Sequence, residues 1–206
     1  MLALFQLTLR GTVFLFQGQE IGMTNFDFKS LDEVNDVESH GLNKLMKKLC
    51  IPSALRWKWI KASSRDNSRT PVQWDDSENA GFTKGKPWLG VNKNYKCINY
   101  ASQKNDTNSI LNFYKALITL RKNNKCLVYG EFQPVYADNR IIIYQRKLNG
   151  ENQKSETFTI ALNFSSKTVK LPKKFLHLFS GKLMTSASGE KTDGFLLPWD
   201  GVLVEK

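Results

Sequence analysis

The sequence predicts an α/β segment followed by an all-β domain, an antiparallel β-sandwich. Three observations support this fold class: a continuous apolar run at residues 12–16, an amphipathic helical pattern at residues 105–124, and about seven short β segments after Cys126. The change of pattern places the domain boundary near residue 125. The 206-residue chain is 41% hydrophobic and 24% charged, an ordinary globular composition that argues against disorder.

The first 16 residues are apolar and predict two elements. Residues 1–9 are rich in Leu and Ala and predict a buried helix that ends at Gly11. Residues 12–16, Thr-Val-Phe-Leu-Phe, are typical of a strand buried on both faces of a parallel sheet, yet no second strand of this type follows. Arg10 interrupts the apolar stretch and no basic leader precedes it, so we expect neither a signal peptide nor a membrane span, and a cytoplasmic protein.

The middle of the chain predicts helices separated by a long loop. Residues 30–49 have helical character, with Ser30 and Glu33 spaced as a capping box. Residues 63–88 are dense in polar residues, Gly and Pro, and predict a long ordered loop. In the third helix the apolar positions fall on one face: Ile110, Phe113, Tyr114, Leu117 and Ile118.

The predicted strands of the all-β domain are short and separated by turns. They include residues 141–147, 157–164, 169–171, 175–179, 195–197 and 202–205. This spacing is typical of an antiparallel sandwich.

The formal net charge of +11 invites a nucleic-acid or membrane-surface partner, but the sequence favours neither. The lysines are scattered, without a run of five or six basic residues, so we interpret them as a solvated surface. Three distant cysteines, Cys50, Cys97 and Cys126, form no metal-binding spacing and no even disulfide set. His40 and His177 lie in unrelated contexts, so we expect no zinc site.

Two stretches carry a specific resemblance. Residues 11–25, Gly-Thr-Val-Phe-Leu-Phe-Gln-Gly-Gln-Glu-Ile-Gly-Met-Thr-Asn, resemble the last barrel strand and following loop of oligo-1,6-glucosidase-type enzymes of the α-amylase superfamily. Residues 65–75, Arg-Asp-Asn-Ser-Arg-Thr-Pro-Val-Gln-Trp-Asp, resemble the loop that follows in those enzymes. The order and spacing hold along residues 11–130, whereas the C-terminal domain matches only in its strand pattern.

The resemblance implies a (β/α)₈ barrel whose C-terminal remnant is residues 1–125, with its last strand, long loop and last helix, followed by a β-sandwich at residues 126–206. It also implies retaining cleavage of α-glucosidic bonds in short oligosaccharides or disaccharides. Retention requires two carboxyl groups about 5 Å apart. No cofactor or metal is implied for this segment, and the partner of the chain would be the missing N-terminal barrel portion.

The family's catalytic carboxylates are absent from the sequence. The nucleophile of these enzymes stands in an Arg-x-Asp motif, and no Arg here has Asp two residues later. A further acidic residue stands in Asn-His-Asp, a context that neither His40 nor His177 has. We therefore assign no catalytic residue and expect the chain alone to be inactive.

Arg65 and Arg69 are the predicted substrate-binding residues. In the family, an arginine of this loop pairs with an aspartate from early in the barrel and closes around the terminal glucose. A guanidinium suits this role because its fixed, forked donors can serve a carboxylate and sugar hydroxyls together. The alternative is that one or both arginines only tie the loop down through Asp66 or Asp75.

Other polar and aromatic residues have structural interpretations. Glu20 is expected in a hydrogen-bond network rather than as the acid/base, and Gln19 stands where many relatives carry Glu. Asp36 and Glu38 are two residues apart, which favours loop anchoring over a metal or acid/base pair. Two tryptophans, Trp74 and Trp88, could stack on a sugar, but packing beneath the Arg65 loop is favoured.

Two functions from other classes remain open at this point. A non-catalytic carbohydrate-binding or interaction module would use the sandwich and the Arg65 loop without cleavage, but such a module would not carry an unpartnered apolar strand at residues 13–16. Nucleic-acid binding predicts an affinity that falls steeply with salt, and the scattered charge counts against it.

Overall fold

A computed structural model describes residues 1–150, 155–188 and 194–206, and it divides into two compact units. The sheet unit comprises Met1–Phe14 and Phe113–Lys206, and the loop unit comprises Leu15–Asn112.

The described residues form six α-helices and several 3₁₀ turns. The helices are α1 (Leu2–Thr8), α2 (Val37–Lys48), α3 (Ser53–Ser63), α4 (Tyr100–Gln103), α5 (Ile110–Asn123) and α6 (Lys125–Tyr129). The 3₁₀ turns are Gln19–Ile21, Leu31–Glu33, Arg65–Ser68, Glu78–Gly81, Lys93–Lys96 and Lys173–Phe179.

The sheet unit is built on a five-stranded antiparallel sheet. Its order is β1 (Glu131–Ala137), β2 (Ile141–Leu148), β3 (Glu156–Asn163), β7 (Gly201–Glu205) and β5 (Lys182–Ser186). A second antiparallel pair joins β4 (Val169–Lys170) to β6 (Phe195–Leu196), with Val169 opposite Leu196. The antiparallel pairing predicted from the sequence is confirmed, whereas the division at residue 125 stays a prediction.

Alternate side chains of the five-stranded sheet enter two hydrophobic clusters, as the period of a strand requires. On one face Tyr144 and Phe158 pack with Leu4 of α1, Leu117 of α5 and Leu127 of α6. On the other face lies a second cluster, which joins Val169 of β4 and Leu196 of β6 to Ile143, Ala161, Leu171, Val202 and Val204. The helices therefore cover one face of the sheet, and the β4–β6 pair covers the other.

A fully buried arginine joins the helices to the sheet. Arg146 of β2 donates hydrogen bonds to the carbonyl oxygens of Thr8 at 2.7 Å, Leu127 at 2.8 Å, and Gly130 at 2.7 and 3.3 Å. These carbonyls lie at the C-terminal ends of α1 and α6, where backbone oxygens lack partners within the helix, and Arg146 supplies the missing donors. Burial lowers the pKa of Arg146 from the ordinary arginine value.

Two of the predicted helices begin later than their sequence patterns. Predicted helix 105–124 corresponds to α5, which starts only at Ile110 because the Ser109 amide donates to the Asp106 carbonyl in a turn. Predicted helix 30–49 corresponds to α2, which starts at Val37 because Asp36 is extended at the N-cap.

Two strand predictions are wrong in this structure, and two observed strands, β1 and β5, lie outside the predicted segments. Residues 12–16 form no strand, and Phe14 is 80% exposed. The 175–179 segment forms part of a 3₁₀ turn, because the Phe175 amide donates to the carbonyl of Pro172 and starts a local turn instead of a ladder. β5 was not predicted, since its Lys-Leu-Met-Thr-Ser sequence has a weak strand pattern.

Candidate functional site: the Arg65 loop

The candidate site is a loop that follows α3 and contains the 3₁₀ turn Arg65–Ser68. The hydroxyl of Ser64 at the N-cap accepts a hydrogen bond from the Asp66 amide at 3.3 Å. This cap gives the turn a local start, because an N-cap oxygen satisfies an amide that has no partner within the turn. Arg65 and Asp66 are successive residues of the turn, so their side chains point in different directions and make different contacts.

Asp66 holds the loop together from the inside. Its side chain is fully buried, and Oδ2 accepts the backbone amides of Asn35 at 2.6 Å and Asp36 at 2.9 Å. Its other oxygen, Oδ1, accepts Nη1 of Arg69 at 3.1 Å. A buried carboxylate is tolerated when it is paired and hydrogen-bonded in this way. Asp66 therefore links the segment before α2 to the segment after α3.

Arg65 pairs with a second buried carboxylate, Asp36. Oδ1 of Asp36 accepts Nε of Arg65 at 3.0 Å and Nη2 at 2.7 Å, and Oδ2 accepts the Arg65 amide at 3.3 Å. Oδ2 also accepts the hydroxyl of Ser39 at 2.8 Å. Nε of Arg65 lies 3.5 Å from Oε2 of Glu38. The pair of acidic residues from the start of α2 thus anchors the loop through Arg65.

The electrostatics of this pair favour the charged forms. Burial by itself disfavours ionisation of the Asp36 carboxyl, but hydrogen bonds from Arg65 and Ser39 outweigh burial and hold the pKa well below the ordinary aspartate value. The pKa of Arg65 is raised, first by its hydrogen bonds to Asp36 and then by the charge of that carboxylate. Both groups are therefore ionised over the whole neutral range.

Arg65 nevertheless keeps donors available for another partner. Its side chain is 55% exposed, against 3% for Asp36. A guanidinium carries five N–H donors, and the Asp36 side chain takes two of them. The fixed fork therefore presents unused N–H groups at the surface of the loop. Arg69 is 39% exposed and bonded to Asp66, so it lies deeper than Arg65.

Neighbouring residues brace the loop against the segment at residues 25–36. The amide of Phe26 donates to Oδ1 of Asn67 at 3.0 Å, and Nδ2 of Asn25 donates to the carbonyl of Ala62 at 3.2 Å. Asp27 forms ion pairs with Lys29 and Lys61. Together with Asp66, these bonds fix the backbone on both sides of Arg65.

The tryptophans of the site are exposed, which corrects the expectation that they pack beneath the loop. Trp74 is 48% exposed and makes an edge contact with Tyr100, the ring centroids 5.9 Å apart. Trp88 is 69% exposed. The neighbouring Gln73 side chain, in contrast, is fully buried, and its Nε2 donates to Oδ1 of Asn94 at 3.2 Å.

Gln19 and Glu20 lie in the turn Gln19–Ile21. Oε1 of Gln19 accepts the amide of Phe16 at 3.3 Å, a local bond that fixes the turn. Glu20 is partly exposed, and within the described part of the chain its side chain has no hydrogen bond that would place it in the expected network.

Sequence reasoning missed the partner of Arg65. The expected anchors were Asp66 and Asp75: Asp66 does hold Arg69, whereas Asp75 accepts the amide of Ser77 at 2.9 Å and Arg65 pairs with Asp36. Asp36 is 29 residues from Arg65, and no local spacing rule connects residues that far apart. The two-residue spacing between Asp36 and Glu38 did correctly favour an anchoring role for these residues over an acid/base pair.

Two further observations concern metal binding and membrane-spanning helices. Across residues 1–150, 155–188 and 194–206, no group of three His, Cys, Asp or Glu side chains is arranged to hold a metal ion. In the same ranges, no helix has the length and apolar character needed to cross a membrane.

Comparison with known proteins identifies the family. The sequence-family model of the α-amylase catalytic domain matches residues 1–130 of this chain. Oligo-1,6-glucosidase of Parageobacillus thermoglucosidasius is 38% identical over 211 residues, which cover 97% of this chain and 36% of the relative. Glucan 1,6-α-glucosidase of Streptococcus pneumoniae serotype 4 is 36% identical over 203 residues, which cover 96% of this chain and 36% of the relative.

A solved structure gives the same result. Isomaltulose synthase from Klebsiella sp. LX3 superposes with a TM-score of 0.86 at 33% sequence identity, over 99% of this chain and 37% of that one. The chain spans about a third of the length of the curated relatives it matches. The matched segment has the fold of the corresponding part of these enzymes, and the chain belongs to the α-amylase family.

Proposed function

We propose that this chain forms the C-terminal portion of a retaining glycoside hydrolase that cleaves α-glucosidic bonds in short oligosaccharides or disaccharides. Residues 1–125 would be the C-terminal remnant of its (β/α)₈ barrel, and residues 126–206 its β-sandwich domain. The observation that carries the proposal is the braced Arg65 loop, which presents a half-exposed guanidinium beside the buried Asp36. The names of the relatives, α-glucosidases that include oligo-1,6-glucosidase, support the substrate class.

The catalytic carboxylates would come from the part of the enzyme that this chain does not match. The sequence contains neither Arg-x-Asp nor Asn-His-Asp. The buried carboxylates Asp36 and Asp66 are each engaged by several N–H or O–H donors, which suits anchoring and leaves neither free as a nucleophile. Residues 1–206 alone would therefore be inactive, and a partner polypeptide would supply the missing N-terminal barrel portion.

Arg65 and Arg69 would bind the substrate in the assembled enzyme. Arg65 offers its unused N–H groups to sugar hydroxyls and to a carboxylate of the missing portion, as the forked guanidinium allows. Arg69 would contribute from the deeper position that its bond to Asp66 fixes. In this arrangement Asp36 keeps the Arg65 guanidinium oriented before substrate arrives.

The test is reconstitution of activity. The purified chain is mixed with a polypeptide corresponding to the N-terminal two-thirds of a relative, and glucose release is measured from p-nitrophenyl α-glucoside, isomaltose and sucrose. We expect release only when both polypeptides are present. Release by the chain alone would overturn the proposal, as would a mixture that binds tightly yet releases no glucose from any of the three substrates.

Variants of the reconstituted enzyme test the arginines. Loss of a charge-assisted hydrogen bond to substrate, worth about 1.5–3 kcal/mol, predicts that Arg65→Gln lowers kcat/KM by roughly 10- to 150-fold. Arg69→Gln is expected to lower it less, and Arg140→Gln, which removes the same charge from an exposed turn of the sheet unit, should leave it unchanged. Equal kcat/KM values for Arg65→Gln and Arg140→Gln would show that Arg65 only ties the loop.

The exposed indoles of Trp74 and Trp88 favour one second candidate, a non-catalytic carbohydrate-binding module. Titration calorimetry of the chain alone with isomaltose distinguishes the two functions. Binding that is lost in Trp88→Ala, together with failed reconstitution, would support the module instead of the hydrolase portion.

A further inference from the structure

The β4–β6 pair and the residues that follow each of its strands carry positive charge and exposed apolar side chains. Lys170, Lys173 and Lys174 are exposed, as are Phe195 at 50%, Leu197 at 44% and Trp199 at 55%. We name these six residues the basic–apolar face. No Asp or Glu occurs in the sequence between Glu156 and Glu190, the stretch that contains all three lysines.

The two halves of the basic–apolar face are joined by hydrogen bonds and ring contacts. Lys170 pairs with Phe195 in the β4–β6 ladder, and Nζ of Lys170 lies 5.4 Å from the centroid of the Phe195 ring. The amide of Trp199 donates to the carbonyl of Ser165 at 3.1 Å, and the amide of Leu171 donates to Gly194 at 2.8 Å. Residues 165–171 and 194–199 therefore form one continuous surface.

The alternation of the strands explains why this surface points outward. Val169, Leu171 and Leu196 are at most 4% exposed and enter the cluster on the β4–β6 side of the sheet. Lys170 and Phe195, which lie between or beside them, must therefore point away from that cluster. These exposed apolar side chains beside lysines do not contribute to the core, and such surface patches often mark a binding site.

The helices of the sheet unit leave this surface uncovered. The catalytic-domain family model ends at residue 130, and the elements within it that pack on the sheet are α1, α5 and α6. These helices contact the face of the sheet opposite to the β4–β6 pair. α1, α5 and α6 therefore do not cover the basic–apolar face, and its six side chains are exposed.

We propose that the basic–apolar face docks the protein onto an anionic lipid surface. Lysines attract the negative headgroups, each contributing to binding within a Debye length, while Trp, Phe and Leu side chains enter the headgroup–acyl boundary. Trp at the edge of an apolar patch suits this boundary because its ring is apolar and its N–H is polar. A nucleic acid is the less favoured anion, because the face has no arginine and carries three aliphatic or aromatic residues that phosphates would not engage.

The experiment measures partition of the full 206-residue chain into vesicles by cosedimentation. Vesicles of neutral phosphatidylcholine are compared with vesicles that contain 30 mol% phosphatidylglycerol. We expect binding only to the anionic vesicles, and weaker binding as salt is raised. The double variant Lys173→Gln/Lys174→Gln should bind about 30-fold more weakly, since each lost charge weakens binding roughly fivefold.

Matched variants separate this face from general positive charge. Lys84→Gln/Lys86→Gln removes the same two charges from exposed positions in the loop unit and should leave partition within about twofold. Trp199→Ser should weaken binding about tenfold, with little change in its salt dependence. Circular dichroism confirms that each variant is folded.

Three results would overturn the proposal. The first is equal binding to neutral and anionic vesicles. The second is an equal loss of vesicle binding in the Lys173→Gln/Lys174→Gln and Lys84→Gln/Lys86→Gln variants. That result would show that binding depends only on the net charge of the chain. The third is tight binding to duplex DNA with the same dependence on Lys173 and Lys174 but no vesicle binding, which would assign the face to an anionic polymer.

Discussion

Replacing Arg146 by Met should remove much of the stability of the sheet unit. Arg146 is fully buried and donates four hydrogen bonds to three carbonyl oxygens, those of Thr8, Leu127 and Gly130. Hydrogen bonds to a charged group contribute about 1.5–3 kcal/mol each, and the cost of burying the guanidinium offsets part of that sum. We therefore expect a loss of about 3–5 kcal/mol, a large share of the 5–15 kcal/mol typical of a domain.

Urea unfolding of the chain, followed by far-UV circular dichroism, measures the change in the free energy of unfolding. Lys147→Met is the matched control, because Lys147 is the next residue of β2, is only partly buried and loses the same charge. We expect the control to change stability by less than about 0.5 kcal/mol. If Arg146→Met cost no more than Lys147→Met, the carbonyl-bound arginine would not hold the helices to the sheet.

The remaining predictions concern the loop and the thiols. Because the pKa of Asp36 is lowered in the folded loop, its contribution to stability is present above the unfolded value of about 4 and is lost as pH falls below it. Protease cleavage near residues 61–70 should therefore increase between pH 6 and pH 3, whereas Asp36→Asn should cleave readily at both pH values; a wild-type chain equally resistant at pH 3 would contradict this. Burial raises the pKa of the Cys126 thiol to about 11, with the charge of Glu156 adding to it. At pH 8 a thiol reagent should label the exposed Cys50 and Cys97 promptly and Cys126 only after unfolding, and three rapid thiols per chain would refute that burial.

Local sequence patterns predicted helices and strands whose side chains are buried within a single unit. α5 has its apolar positions at helical spacing, and Tyr114 and Leu117 are accordingly buried, whereas Ile110 and Ile118 of the predicted face are exposed. The strands β2, β3 and β7 were predicted from β-branched and aromatic runs, and each has a continuous ladder. These predictions succeeded because side-chain period and burial agree with each other along the element.

Long-range pairing could not be predicted in the same way. The apolar run at residues 12–16 predicts burial, but a strand forms only when a neighbour supplies its hydrogen bonds, and Phe14 is exposed here. Nothing in the sequence indicated that Arg146 would bind three carbonyls from two helices, or that Asp36 would pair with Arg65. The basic–apolar face was likewise interpreted as a solvated surface, because its aromatic residues lie about 25 positions from its lysines in the chain.

The proposed function requires that the catalytic nucleophile lies outside residues 1–206. A retaining enzyme passes through a covalent glycosyl–enzyme intermediate, which a slow fluorinated glucosyl substrate can trap on the nucleophile. Peptide mapping by mass spectrometry of the trapped, reconstituted enzyme locates the labelled carboxylate directly. We expect the label on the polypeptide that supplies the N-terminal barrel portion and on no peptide of this chain. A label on a carboxylate of this chain, such as Glu20 or Asp75, would contradict it.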